Sequence, residues 1–396
     1  MKYMRRIQKI LIILPLVLFT SCYKNFDSGF YVTESTQYNQ LFNRKNGWTG
    51  ADGAYSISLS NNKILWLYGD TWIGEVRDNK HVNSILVNNS IGMQEGIDPA
   101  KASILFFFGK TSEGKPDAFI KPDNKAGWFW MYDGLKTKKG LYLFLVQIDR
   151  TGDTSSPGFK IIGTWLGHVL NPHMPPEMWK LRQYKIPWEK LGPSGDIIFG
   201  SSVLLHNGFV YIYGTSENII NGIHQKFMIL ARVSADALTE FNSWRFYSNG
   251  NWVDNFLLAS RICDNIANEY SISYLPVFNE YISVYTENSV SENIVIRTAP
   301  QPHGPWSNPV IIYKCPEVNW DEGIYCYAAK AHSTLTSAPD ELIITYVANS
   351  NDFWKMAADA RLYRPRFITV KFTGTLEKRS TTLKKPIGTH TQPLLK

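Results

Sequence analysis

Cysteine is scarce in this 396-residue chain, which holds four. Cys22 ends the apolar leader described below, so Cys263, Cys315 and Cys326 remain for the folded part. Three thiols permit at most one bridge, with Cys315 and Cys326 the closest pair in sequence. No Cys-x-x-Cys or Cys/His spacing suggests zinc, so buried free thiols and no metal are expected. Charged residues are also few, at 19%. The sequence lacks a Gly-x-Ser-x-Gly elbow, a His-Glu-x-x-His pair and a phosphate loop. It also lacks the Ser-x-Asp-x-Gly-x-x-Trp box of sialidases and the Asn-Asp-Pro and Arg-Asp-Pro acids of fructan-cleaving enzymes. Serine-hydrolase, metalloprotease and nucleotide chemistries lose weight accordingly. Carboxylate chemistry does not.

Long apolar runs are missing except at the start. There Lys2, Arg5, Arg6 and Lys9 precede an apolar stretch over residues 10–19 and then Thr20-Ser21-Cys22. The stretch is short for a bilayer span and has the layout of a secretory signal. The small residues before Cys22 resemble a bacterial lipobox, which makes residues 1–21 a leader and Cys22 the lipidated first residue. The expected location is the cell envelope, on a membrane facing the periplasm or the outside. Removing the leader lowers the formal charge from +7 to +3. The stretch 375–396 is lysine-rich and without periodicity, so it reads as a solvated tail. The basic balance thus sits at the ends, and nothing argues for nucleic acid.

What the chain does have is strands. Aromatic content is 14%, with 13 Trp, and apolar residues alternate with small or polar ones in runs separated by turn residues. The runs fall into five clusters. The first is the hairpin 55–68 with 84–87. The second takes 104–108, 127–131, 141–146 and 159–163, and the third 201–205, 209–214, 226–232 and 244–247. The fourth takes 270–274, 281–285, 294–297 and 310–313, and the fifth 327–332, 342–346 and 366–371. A small or polar strand, a turn and an apolar-aromatic strand recur at 201–214, 270–285 and 327–346. Repeats that cannot bury their own faces close into a ring. The expectation is an all-β fold, a five-bladed β-propeller with four-stranded blades over residues 45–374. Residues 22–44 are read as a linker and the start of closure. The connection 168–196 is expected to lie over one face, with its Pro-rich start Asn171-Pro172-His173-Met174-Pro175-Pro176 resisting regular structure.

In such a ring the ends of the inner strands share one pocket. Tyr55, Ile57 and Leu59 alternate with Ser56, Ser58 and Ser60, and Ile64-Leu65-Trp66-Leu67-Tyr68 returns. A two-residue turn would pair Leu59 with Ile64 and set Gly53 opposite Asp70, leaving Asp52 and Asp70 as neighbours at the open end. Paired carboxylates beside aromatic rings are what acid/base cleavage of a sugar bond requires. The plain alternative is that Asp52-Gly53 and Gly69-Asp70 are turn dipeptides. Glu269 precedes the strand at 270 as Asp52 precedes that at 55, and is a third catalytic candidate. Glu217 and Glu287 end hairpin strands and can be merely solvated. His332, Asn349, Arg364 and Arg366 are the polar candidates of the fifth cluster.

The ordered set Trp48-Thr49-Gly50-Ala51-Asp52-Gly53-Ala54-Tyr55-Ser56, Tyr68-Gly69-Asp70-Thr71-Trp72, Leu230-Ala231-Arg232-Val233, Tyr270-Ser271-Ile272-Ser273-Tyr274, Gly304-Pro305-Trp306, Ala329-Lys330-Ala331-His332 and Tyr363-Arg364-Pro365-Arg366-Phe367 resembles a bacterial family of five-bladed propellers first known as a domain of unknown function. Members of that family are endo-acting glycoside hydrolases that cleave D-arabinan. The resemblance implies that Asp52 and Asp70 are catalytic. With it, Trp48, Trp72 and Tyr327 are expected to stack on sugar rings, while His332, Arg366 and Asn349 hold hydroxyls. No cofactor is implied, and a monomer acting on a polysaccharide is expected. A non-catalytic glycan-binding propeller and a furanosidase of other sugar specificity are the alternatives.

Overall fold

The computed structural model describes residues 29–60, 62–152, 158–336 and 338–373. The leader 1–21, Cys22 and the tail 375–396 lie outside the described residues. The described chain is all-β, apart from the short α-helices Thr36–Phe42 and Phe353–Ala358 and single turns of 3-10 helix.

Five antiparallel sheets of four or more strands succeed one another among the described residues. The first runs Tyr55–Ser60, Lys63–Tyr68, Ser90–Glu95 and Ser103–Phe107; the second Trp128–Thr137, Gly140–Arg150, Phe159–Val169 and Leu181–Lys185. The third opens on Ile197–His206 and the fourth on Tyr270–Leu275. The fifth runs Ile324–Ala331, Glu341–Ser350 and Pro365–Phe372, and its outer edge is the N-terminal strand Phe30–Glu34. Phe30 pairs with Phe372, so the two ends of the described chain meet in one ladder. That ladder also hides a sheet edge that would otherwise expose unpaired backbone groups.

The opening strands of all five sheets line one cavity of about 200 Å³. Ser56, Ser58, Ser202, Ser271, Ser273 and Ala331 are among its walls. Small side chains are needed where five strands converge. The alternate residues turn between the sheets, where Ile57, Leu143, Phe144, Phe199 and Ile212 form one apolar core. Ile282, Ile296, Leu342, Ile344 and Val370 form another. Each such side chain contributes roughly 1.5–3 kcal/mol through removal from water.

Several strand assignments shift. Ser103–Phe107 closes the first sheet rather than opening the second, because Ser90–Glu95 lies between it and the hairpin. Lys80–Val87 pairs with Thr71–Arg77 in a separate three-stranded sheet. Within 168–196, Leu181–Lys185 forms the edge strand of the second sheet. The hairpin register also differs. Ser60 pairs with Lys63 as a tight turn demands, but Leu59 is then bulged out and Ser58 pairs with Ile64. One extra residue slides the remainder of the ladder by one position.

Candidate active site

The slipped register sets the acids directly opposite each other. Beyond the hairpin the ribbon continues as Asn46–Ala51 against Thr71–Arg77, with Gly50 facing Trp72 and Ala51 facing Thr71. Asp52 and Asp70 take the next rung: the Asp52 amide donates to the Asp70 carbonyl at 3.2 Å. The Gly69 amide donates to the Asp52 carbonyl, also at 3.2 Å. Directly opposed residues on such a ribbon have Cβ atoms about 4.5–5.5 Å apart. The two ladders swing apart here because Gly53 has φ +79° and Ala54 φ +54°. Gly69 is required for a different reason. A Cβ there would lie 2.5 Å from Asp52 Oδ1, so the carboxylate occupies the space of the missing side chain.

Four neutral donors hold the pair. The hydroxyls of Tyr327 and Tyr363 each donate to Asp52 Oδ2 at 2.8 Å. Trp130 Nε1 donates to Asp70 Oδ1 at 2.9 Å, and Asn88 Nδ2 approaches the same oxygen at 3.4 Å. Backbone irregularities aim these groups. A bulge between Tyr327 and Lys330 sets Ala328 at φ +59°, and Tyr363 itself has φ +56°. Matching bulges at Met131/Gly134 and Phe199/Ser202 project Asp133 and Ser202 toward one another. Bulges redirect side chains where a regular pleat would not.

Asp52 and Asp70 are each half-buried as residues, and their carboxyls are withdrawn from water. Burial, then the charges of Asp70 and Glu269, pushes Asp52 up to about 8 against the two tyrosine hydrogen bonds. Burial pushes Asp70 up to about 6, restrained by Trp130 and Asn88. Near neutrality one acid is mostly protonated and the other mostly ionised. Asp133, one sheet on, is pushed up by burial to about 7.

Glu269 is near enough for its charge to act on Asp52, but Lys330 Nζ holds its Oε2 at 2.7 Å. That lysine is itself buried, with its ammonium 4.3 Å above the centre of the Tyr55 ring. Tyr327 is at the site as a hydrogen-bond donor to Asp52. The other expected binding residues are elsewhere engaged. Trp48 is 2% exposed and stacks on Phe106 at 4.2 Å, so no sugar can reach it. Trp72 is buried too, with its ring on His81 and its N–H on Met356 Sδ at 3.2 Å. His332 uses Nδ1 on Ser56 at 2.8 Å and Nε2 on Thr345 at 2.7 Å. Burial and Lys330 push it down to about 3, which keeps it a neutral channel residue. Arg366 pairs with buried Glu317 at 3.3 Å and donates to the Arg361 carbonyl at 2.9 Å. Asn349 Oδ1 caps the Ser350 amide at 2.7 Å. Of the other polar candidates, Glu217 is paired with His224 and Lys226, and Arg364 donates to Asn43.

Sequence reasoning passed over Tyr363, Asn88 and Trp130. For Trp130 a signal existed. In Trp128–Thr137 the residues Phe129 and Met131 are buried while Trp128 and Trp130 keep exposure, a period-2 pattern with tryptophan on the open face. Phe159 packs edge-on to Trp130 at 4.7 Å and completes an aromatic wall beside Asp70.

The sequence matches the model of the Domain of unknown function (DUF5005) over residues 35–373. The chain belongs to the DUF5005 family. No curated protein matches it in sequence. Among solved structures, this DUF5005 chain is similar to a protein of Bacteroides ovatus ATCC 8483 whose description as a hydrolase is provisional. The two share 18% identity and a TM-score of 0.68 over 86% of this chain and 90% of that one. At that identity the likeness is one of fold. Weaker likenesses include Zg3597, a family 117 glycoside hydrolase of Zobellia galactanivorans, at 13% identity and TM-score 0.48, covering 90% of this chain and 95% of that one. A thermostable family-43 glycoside hydrolase matches at 16% identity and TM-score 0.42, covering 87% and 98%.

Proposed function

We propose that this DUF5005 protein is a glycoside hydrolase with the opposed Asp52 and Asp70 as its catalytic pair. The observation that carries the reading is their placement: two acids on one rung, raised unequally, beside an aromatic wall. Asp52 Oδ2 already accepts two hydroxyl donors, which uses its acceptor sites. The proton of neutral Asp52 therefore belongs on Oδ1, the oxygen that fills the space at Gly69. From there Asp52 would protonate the leaving oxygen while ionised Asp70 acts as base or nucleophile. Glu269, neutralised by Lys330, would tune Asp52 rather than transfer the proton. The reaction then requires Asp70 ionised and Asp52 protonated, so kcat/KM should peak between about pH 6 and 8 and fall on both sides.

The finer reading rests on the sequence resemblance: internal cleavage of a furanose polymer, with D-arabinan first. We read the five sheets as blades of a propeller, joined by the pairing of Phe30–Glu34 with Pro365–Phe372. Anchoring in the cell envelope through Cys22 rests on the leader pattern. Incubation of the purified protein with D-arabinan and a panel of related polysaccharides should yield new reducing ends. Asp52→Asn and Asp70→Asn should each lose about 10²–10⁴-fold in rate. Binding without cleavage would replace the enzyme by a glycan-capture protein. Wild-type rates in both variants would overturn the assignment of the acids.

A further inference from the structure

Trp354 is 77% exposed and its neighbour Phe353 48%, an unusual pair of large rings to leave in water side by side. They open the short helix Phe353–Ala358, which sits in the connection between the last two strands of the fifth sheet. That connection leaves Glu341–Ser350 at the end where Ser350 pairs with Ile324, the same end of the inner strand that carries Tyr327. It returns through Tyr363, whose hydroxyl holds Asp52. The helix therefore stands on the face that bears the acids.

Its position is fixed. Asp52 leads through Tyr363 into a small apolar cluster of Tyr363, Trp72 and Met356. Met356 is the buried residue of the helix and receives the Trp72 N–H. Phe353 lies 6.4 Å from the Trp72 ring and 5.5 Å from Trp354. Asp352 caps the helix, accepting from the Trp354 amide at 2.8 Å. Lys355 ties it to the neighbouring loop through Asp321 at 2.6 Å. Trp72, expected to meet a sugar, instead supports the helix whose outer rings remain free to do so.

We infer that Trp354, with Phe353 beside it, is an aromatic subsite that stacks a sugar unit of the polymer several units away from the bond that is cut. An exposed aromatic pair held in a fixed position on the face that bears the acids marks an interaction surface, and a pre-ordered ring loses little entropy on binding. The occupant is the substrate chain itself, because the buried rings of Tyr363 and Trp72 tie Phe353 and Trp354 to Asp52 and fix them on the face that bears the acids. The inference rests on the glycoside hydrolase reading and adds chain-length preference to it.

The test compares Trp354→Ala and Trp354→Phe with wild type on the polysaccharide that the protein cleaves and on an aryl glycoside of the same sugar. The alanine variant should lose about tenfold in kcat/KM on the polymer, chiefly through KM, and less than twofold on the aryl glycoside. Phenylalanine should restore most of the loss. Equal loss on both substrates, or no loss on the polymer, overturns the subsite. Affinity electrophoresis in polysaccharide gels, in an Asp52→Asn background, reads binding without turnover. Weaker retention of the alanine variant there supports the subsite even if no polymer is cleaved, which would sink the hydrolase reading alone. If the Asp52→Asn protein with Trp354 intact is not retained by any gel of the panel, both fall.

Discussion

Glu317, in the loop after the fourth sheet, and Asp52, at the head of the first, both accept hydrogen bonds from tyrosine. Tyr346 donates its hydroxyl toward the two oxygens of Glu317 at 2.9 and 3.1 Å, and Arg366 supplies a cation at 3.3 Å. Asp52 has two hydroxyls, no ion pair among the described residues, and Asp70 across the rung. The first arrangement balances a buried charge. The second leaves charge unbalanced, which is tolerable only if the carboxyl keeps its proton. An acid compensated by a cation serves the fold, whereas an uncompensated acid facing another acid is poised for proton transfer.

The largest effect should come from breaking the balanced side. Arg366→Met removes the cation and leaves Glu317 charged and buried, at a cost of about 3 kcal/mol. Thermal unfolding should show a clearly lower Tm, while activity per folded molecule stays at the wild-type level. A raised KM with unchanged Tm would return Arg366 to the substrate and erase the contrast.

Next in size is Gly69→Ala. This residue does not use left-handed backbone, so alanine fits the chain, but its Cβ would press on Asp52 Oδ1. The carboxyl is the end of a side chain and can move, so stability should change little. Displacing the reacting oxygen by about 1 Å should lower kcat roughly 10²-fold. A full-rate alanine variant would place the transferable proton elsewhere.

These two positions show what was legible in the sequence and what was not. The closeness of the two acids was legible because a hairpin brings its open ends together and the turns there need glycines, and both signals are local. Trp48 and Trp72 misled because adjacency to an acid does not say which face of a ribbon a ring takes, and here both rings go inward. Leu59 concealed its bulge, since an alternating pattern looks the same with or without an extra residue at the turn. Tyr363, and the role of Tyr327 as a donor to Asp52 rather than a stacking ring, were out of reach. Their hydroxyls arrive at Asp52 from about 300 positions away, through left-handed residues that only the assembled fold can hold in place.

An effect of opposite sign to that at Arg366 is expected in the stability of Asp52→Asn. The folded protein holds this proton up to about pH 8, whereas an unfolded aspartic acid loses it near 3.9. The group's stabilising contribution is full below about pH 4 and is lost as pH rises through 8. Asparagine has no proton to lose. The Tm of the variant minus that of wild type should therefore be more positive at pH 9 than at pH 5, measured by thermal unfolding in both buffers. A difference that shrinks with pH would mean that Asp52 is ionised in the folded state and that the contrast with Glu317 is false.

The smallest expected change is at Trp130. Its N–H favours the charged form of Asp70 and so holds that acid below where burial alone would put it. Trp130→Phe keeps a ring in the aromatic wall and deletes the donor. Asp70 should then need a higher pH to ionise, and the acid limb of kcat/KM should move upward by about one pH unit or less. The alkaline limb, set by Asp52, should stay within a few tenths of its wild-type position. If the alkaline limb moved instead, the roles of the two aspartates would have to be exchanged, because the donor at Trp130 would then be acting on the proton that is given rather than on the charge that receives it.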